Sequence, residues 1–96
     1  MRISLSKFGS TLLSRDAGRE AFAALQPTLE NITPEEKIEV DFEGVKVFSP
    51  SWGDEMLGGL AKRFKDQVIL LNTQNLSVKE SLELLESIHG HKFKQA

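Results

Sequence analysis

Cysteine is absent from the 96 residues. That excludes disulfides, thiolate metal sites and cysteine nucleophiles. It also fits a reducing compartment, so a cytoplasmic location is expected. Histidine occurs only twice, at His89 and His91, and a metal centre needs more ligands at suitable spacing. No metal or other cofactor is therefore expected. No apolar run reaches the roughly 18 residues of a membrane span. The start, Met1-Arg2-Ile3-Ser4-Leu5, alternates in polarity and lacks the apolar stretch of a signal peptide. A basic excess is missing as well: the net charge is −2. The one small cluster, Lys62, Arg63 and Lys65, is followed at once by Asp66. Nucleic-acid binders carry a basic stripe, so neither a nucleic acid nor a membrane is expected as partner. No glycine-rich phosphate loop follows a strand, and no nucleophile stands beside a base, so the chain is read as a non-enzyme.

What is present is ordinary for a small globular domain: 40% apolar and 27% charged residues. A chain of this length buries roughly two-thirds of its unfolded surface, enough for one core. A single domain over residues 1–96 is expected.

Ile3 and Leu5 alternate with Arg2, Ser4 and Ser6, a strand pattern that extends to Lys7 and Phe8. Ser14 is placed to cap a helix in which Ala17, Ala21, Leu25 and Leu29 share one side, and Pro27 should end or bend it. Ile38, Val40 and Phe42 alternate with Lys37, Glu39 and Asp41 as a second strand, and Glu43-Gly44 turns the chain. Val45, Val47 and Phe48 are extended. Either Ser49, with Pro50 at the first helical position, or Ser51 then caps a helix. In that helix Trp52, Met56, Leu57, Leu60 and Phe64 recur at helical spacing. Gly53, Gly58 and Gly59 within it suggest close backbone approach. Val68–Leu71 is a continuous apolar run of the kind buried as a central strand. Ser77-Val78-Lys79-Glu80 reads as a capping box for a last helix with Val78, Leu82, Leu85 and Ile88 inward, and Gly90 stops it. Phe93 begins a short final strand or lies in a frayed tail. Strands alternating with helices predict an α/β fold: a small, mostly parallel, partly mixed sheet of about four strands with helices packed on it.

In such sheets partners bind at the carboxyl ends of the strands. That places Ser49, Ser51, Trp52, Asp54, Glu55 and Asn72 together as the candidate partner-binding set. Trp52 serves as an anchor if exposed and as core if not. Asp54 and Glu55 suit the first helical turn, and a structural ion pair between Arg15 and Asp54 is expected.

The run from Ile38 to Leu57 resembles the central motif of STAS domains, the anti-sigma-factor-antagonist and sulphate-transporter domains. That motif is a hydrophobic strand, an Asp, a Gly-Val pair and a serine-bearing turn into a helix. The nearer resemblance is to the bacterial STAS-like domains of unknown function. It rests on Phe8-Gly9, Ser14-Arg15, Asp41-Phe42, Gly44-Val45, Ser51-Trp52-Gly53-Asp54-Glu55 and Asn72. The resemblance implies a STAS-like fold and a non-enzymatic protein-interaction module in bacterial signalling. Its partner would be a protein, such as a kinase-like ATPase. Antagonists of the wider family are phosphorylated at Asp-Ser-Ser/Thr-Gly. Here the matching run is Ser49-Pro50-Ser51-Trp52, so Pro50 holds the acceptor place and Ser51 and Ser49 remain as phosphorylation candidates. Self-association as a homodimer is a further option. The alternative function is a regulator that binds a small ligand or nucleotide at the same strand ends.

Overall fold

The computed structural model describes residues 1–96. Strand β1 (Arg2–Ser4) is followed by a single 3₁₀ turn over Leu5–Phe8, where an extension of the strand was expected. Next come β2 (Thr11–Leu12), α1 (Arg15–Leu29), β3 (Ile38–Asp41), β4 (Val47–Phe48) and α2 (Pro50–Phe64). After a 3₁₀ turn over Lys65–Gln67, the chain forms β5 (Val68–Leu71), α3 (Leu76–His89) and β6 (Lys94–Gln95). The main sheet has the order β1-β3-β5-β6, and β2 pairs with β4 in a separate two-stranded ladder. Every pairing is parallel, so the mixed component expected from the sequence is not there.

This strand order runs in one direction with no reversal. Right-handed crossovers then lay every helix on the same face, and the burial pattern agrees. Ile3, Ile38, Val40, Val68 and Leu70 are buried under the helices, while Arg2, Ser4, Glu39, Ile69 and Lys94 occupy the other face with partial or full exposure. The result is a two-layer sandwich with three helices on one side. Parallel sheets are usually covered on both faces, and this one is not.

Local chemistry explains the element ends. Ser14 Oγ accepts from the Ala17 N–H, and Ser49 Oγ accepts from the Trp52 N–H at 3.2 Å. Ser49 therefore wins the competition with Ser51, with Pro50 opening α2 where a missing N–H costs nothing. For α3 the cap is Asn75, which accepts from the Val78 N–H. Ser77, expected to cap, instead bonds to Phe48: its Oγ accepts from the Phe48 N–H and donates to the Phe48 carbonyl. Helix α1 runs two residues past Pro27. Ala23, whose carbonyl loses its donor there, lies on the exposed side where water replaces it. Gly44, at φ 87°, makes the turn after β3, closed by the Val45 N–H on the Phe42 carbonyl.

One cluster of 22 buried apolar side chains forms the core. The three glycines of α2 suggested backbone contact, yet Gly53 faces the Phe48 and Leu85 side chains and Gly59 lies under the Phe22 ring. The close backbone approach belongs to Gly18 of α1. A Cβ there would lie 2.6 Å from the Trp52 carbonyl oxygen. On α3, Ile88 was expected inward but is 64% exposed. It lies in the last turn of α3, beyond Leu85, the last buried position of the helix. No helix is long and apolar enough to cross a membrane.

Candidate functional site

A monotonic strand order has no topological switch point, and hence no ready crevice at the carboxyl ends of the strands. That region is instead filled. Phe42 and Phe48 meet edge to face with centroids 5.1 Å apart, Phe48 and Trp52 follow at 6.0 Å, and Phe8 reaches Trp52 at 6.1 Å. Such aromatic pairs add to simple burial. Trp52 is 1% exposed. The structure therefore moves it from the candidate partner surface into the core. It sits on the inner side of α2, beneath the β2–β4 ladder, and offers nothing to a partner.

Asn72 lies at the end of β5 with φ 57°, a left-handed conformation that Asn tolerates better than most residues. Its side-chain N–H donates to Asp41 Oδ1 at 2.8 Å, and the same oxygen accepts from the Glu43 N–H at 2.9 Å. Asp41 is buried. The Asn72 hydrogen bond, followed by that from the Glu43 backbone, lowers its pKa against the opposing effect of burial. The Asp41–Asn72 pair thus ties the ends of two neighbouring strands together and leaves neither side chain free.

The first turn of α2 separates its two serines. Ser49 Oγ caps the helix and also donates to the Leu13 carbonyl at 2.5 Å, so both its bonding capacities are in use. Ser51 is exposed. Asp54 and Glu55, three and four residues on and hence on the same face of α2, reach into a junction of all three helices. Arg15 Nη1 lies 2.7 Å from Asp54 Oδ2 and 3.3 Å from Glu55 Oε2, while Arg19 Nε reaches Glu55 Oε1 at 2.9 Å. His89 Nε2, from the end of α3, is 2.6 Å from Asp54 Oδ1. The Arg15 hydrogen bond is the main cause that lowers the Asp54 pKa, with His89 adding to it and desolvation opposing it. His89 read from the sequence as a helix-end residue. Its partner lies 35 positions away, so no local signal marks the pairing.

Exposed apolar side chains occur on the segments that meet the capped turn. Leu13 is 51% exposed, Val47 40% and Leu76 69%. Val47 pairs with Thr11 across the β2–β4 ladder, Leu13 bonds Ser49 through its carbonyl, and Asn75 Nδ2 donates to the Lys46 carbonyl. These links bring three separate segments to one surface around the capped turn. Of the sequence-predicted site residues, only Ser51 faces solvent freely there.

Acid titration gives a first test of this geometry. Asp41 and Asp54 both have folded pKa values below their unfolded ones. Their stabilisation is then full above the unfolded carboxylate range, near about 4, and lost as pH falls through the folded values. The melting temperature is expected to fall below about pH 4. Asp41→Asn keeps an acceptor for Asn72 and Glu43 but no charge, so it should lose about 1 kcal/mol at neutral pH and show a shallower acid limb. Thermal melts of both proteins across pH check this, and an identical acid slope would reject the role given to Asp41.

A family model described as a STAS-like domain of unknown function matches residues 19–79. The matched stretch holds Asp41, Ser49, Ser51, Asp54, Glu55 and Asn72. No curated protein and no solved structure matches the chain.

Proposed function

We propose, from the premise that the chain belongs to the family of STAS-like domains of unknown function, that it is a non-enzymatic protein-interaction module of bacterial signalling. The observation that carries this reading is the exposed apolar surface of Leu13, Val47 and Leu76 around the capped turn that presents Ser51. Surfaces of this kind, apolar and edged by polar groups, mark interaction sites. The partner is a protein, in keeping with the STAS resemblance a kinase-like ATPase. Asp54 and Glu55, tied up with Arg15, Arg19 and His89, position the turn and are not contacts.

A phosphate on Ser51 would add nearly two negative charges at the edge of an apolar contact surface. That disrupts docking by desolvation cost, so phosphorylation at Ser51 works as an off switch. Ser49 cannot take this role without breaking the α2 cap.

The test is co-purification from the native host. Wild type is expected to retain a kinase-like ATPase, and Leu76→Asp and Ser51→Glu to lose it by about tenfold or more, the scale set by a disrupted interface contact. Both substitutions lie at exposed positions, so circular dichroism and melting temperature should stay near wild type. Undiminished recovery of the ATPase by both variants would remove the surface from consideration.

A further inference from the structure

A second feature lies further along α2, beginning one helical turn beyond Ser51 and running toward the carboxyl end of the helix. Along the outer helical layer runs a groove of about 830 Å³, within the size range of small-ligand sites. Helix α1 forms one wall with Phe22, and the chain after α3 forms the other with His91 and Phe93. The floor is α2 at Gly58 and Gly59. Phe22 lies over Gly59, where a Cβ would come within 2.7 Å of its ring. At Gly58 a Cβ would make ordinary contacts, the nearest with Asp54 Oδ1 at 3.4 Å and the His89 ring from 3.6 Å. Gly58 is half-buried and lines the groove at that point. His91 and Phe93 stack edge to face at 5.4 Å, which gives the second wall an aromatic surface.

The charges of the groove divide into spent and unspent. At the end nearer the α2 amino terminus, Asp54 is engaged by Arg15 and His89, and Glu55 by Arg15 and Arg19. At the other end, Lys62 and Lys65 line the groove and form no ion pair. Asp66, also unpaired, stands beyond Lys65 as the one free carboxylate. Lys65 is further distinguished by its backbone, at φ 49° and ψ −118°. L-residues rarely adopt that conformation, it costs about 1–3 kcal/mol, and such strain concentrates at binding sites. A glycine would hold the same turn without strain, yet a lysine stands there.

We propose that this groove binds a small organic anion: a flat ring held between the aromatic walls over Gly58, with one phosphate or carboxylate group held by Lys62 and Lys65. The site is distinct from the turn around Ser51, so it stands or falls independently of the interaction reading. It also relocates small-ligand binding from the strand ends, which are filled, to the helical layer.

The experiment is an amide-resolved NMR titration of the full chain with AMP and with benzoate, using adenosine and inorganic phosphate as the two halves of the first probe. The amides of Gly58, Gly59, Lys62 and His91 are expected to shift with AMP and benzoate, and at least about tenfold more weakly with either half, since each charge-assisted contact is worth on the order of a factor of ten. Lys65→Gly separates binding from structure. It relieves the strained backbone, so the free domain should melt at a higher temperature, yet it removes an ammonium group, so affinity for AMP should fall by about tenfold. Lys62→Gln should weaken binding by a similar factor with the melting temperature unchanged. The proposal is overturned if none of the four amides moves with AMP or benzoate. Equal response to adenosine, or full affinity in the two lysine variants, would overturn it as well.

Discussion

Trp52→Ala will destabilise the domain by about 3–5 kcal/mol, the range for truncating a large buried aromatic, and this is the largest single side-chain effect expected here. Trp52 is 1% exposed and touches Phe8 and Phe48. Removing its ring leaves a cavity under the β2–β4 ladder, at the point where α2 begins. A domain of this size is stable by only about 5–15 kcal/mol, so the variant should sit near the edge of folding at physiological temperature. Chemical denaturation followed by circular dichroism measures the loss. The same tryptophan, the only one in the chain, reports its place directly. Its emission should be blue-shifted and shielded from iodide in the free protein, and partner binding should leave it unchanged. Emission typical of a solvated indole would instead return Trp52 to the interaction surface.

Gly18→Ala should cost about 2 kcal/mol net, in opposition to the usual rule for helices. Alanine in place of a helical glycine normally gains about 1 kcal/mol. Here the added Cβ would lie 2.6 Å from the Trp52 carbonyl oxygen and 3.0 Å from its Cα. Both are backbone atoms that cannot rotate away, so α1 must move off α2, and overpacking of this kind costs about 1–3 kcal/mol or more. Gly58→Ala supplies the matched comparison. Its nearest neighbour would be Asp54 Oδ1 at 3.4 Å, an ordinary contact, so the propensity gain should survive. One substitution should lower the melting temperature by roughly 10 °C and the other raise it by a few degrees, given about 4–8 °C per kcal/mol for a domain this small. A stabilised Gly18→Ala would mean that the two helices are not in the contact described.

Much of the fold could be read along the chain because it depends on short-range chemistry. The alternation through Ile38, Val40 and Phe42 marks a strand, and the spacing of Met56, Leu60 and Phe64 marks a helix, within windows of a few residues. Ser14 and Ser49 act on N–H groups three positions away, and Gly90 adopts a left-handed conformation just after α3. At α3 the local capping-box signal pointed to the wrong residue. Asn75 rather than Ser77 caps α3 because Ser77 is drawn off by Phe48, 29 residues earlier.

The chain by itself therefore determined the alternation of strands and helices, the α/β class, the turn at Gly44 and the helix start at Ser14, all set by periodicity and nearest-neighbour hydrogen bonding, and it narrowed the start of α2 to Ser49 or Ser51. Tertiary structure alone decided the rest. The one-directional strand order put every helix on one face and removed the strand-end crevice. That same packing buried Trp52 and locked Ser49, leaving Ser51 outside. It also brought His89 of α3 to the Arg15–Asp54 pair that the sequence suggested, and opened a groove over Gly58. These features depend on groups tens of residues apart meeting in space. Their positions follow from the order in which strands pair and from how closely α1 and α3 approach α2, and no local pattern encodes either.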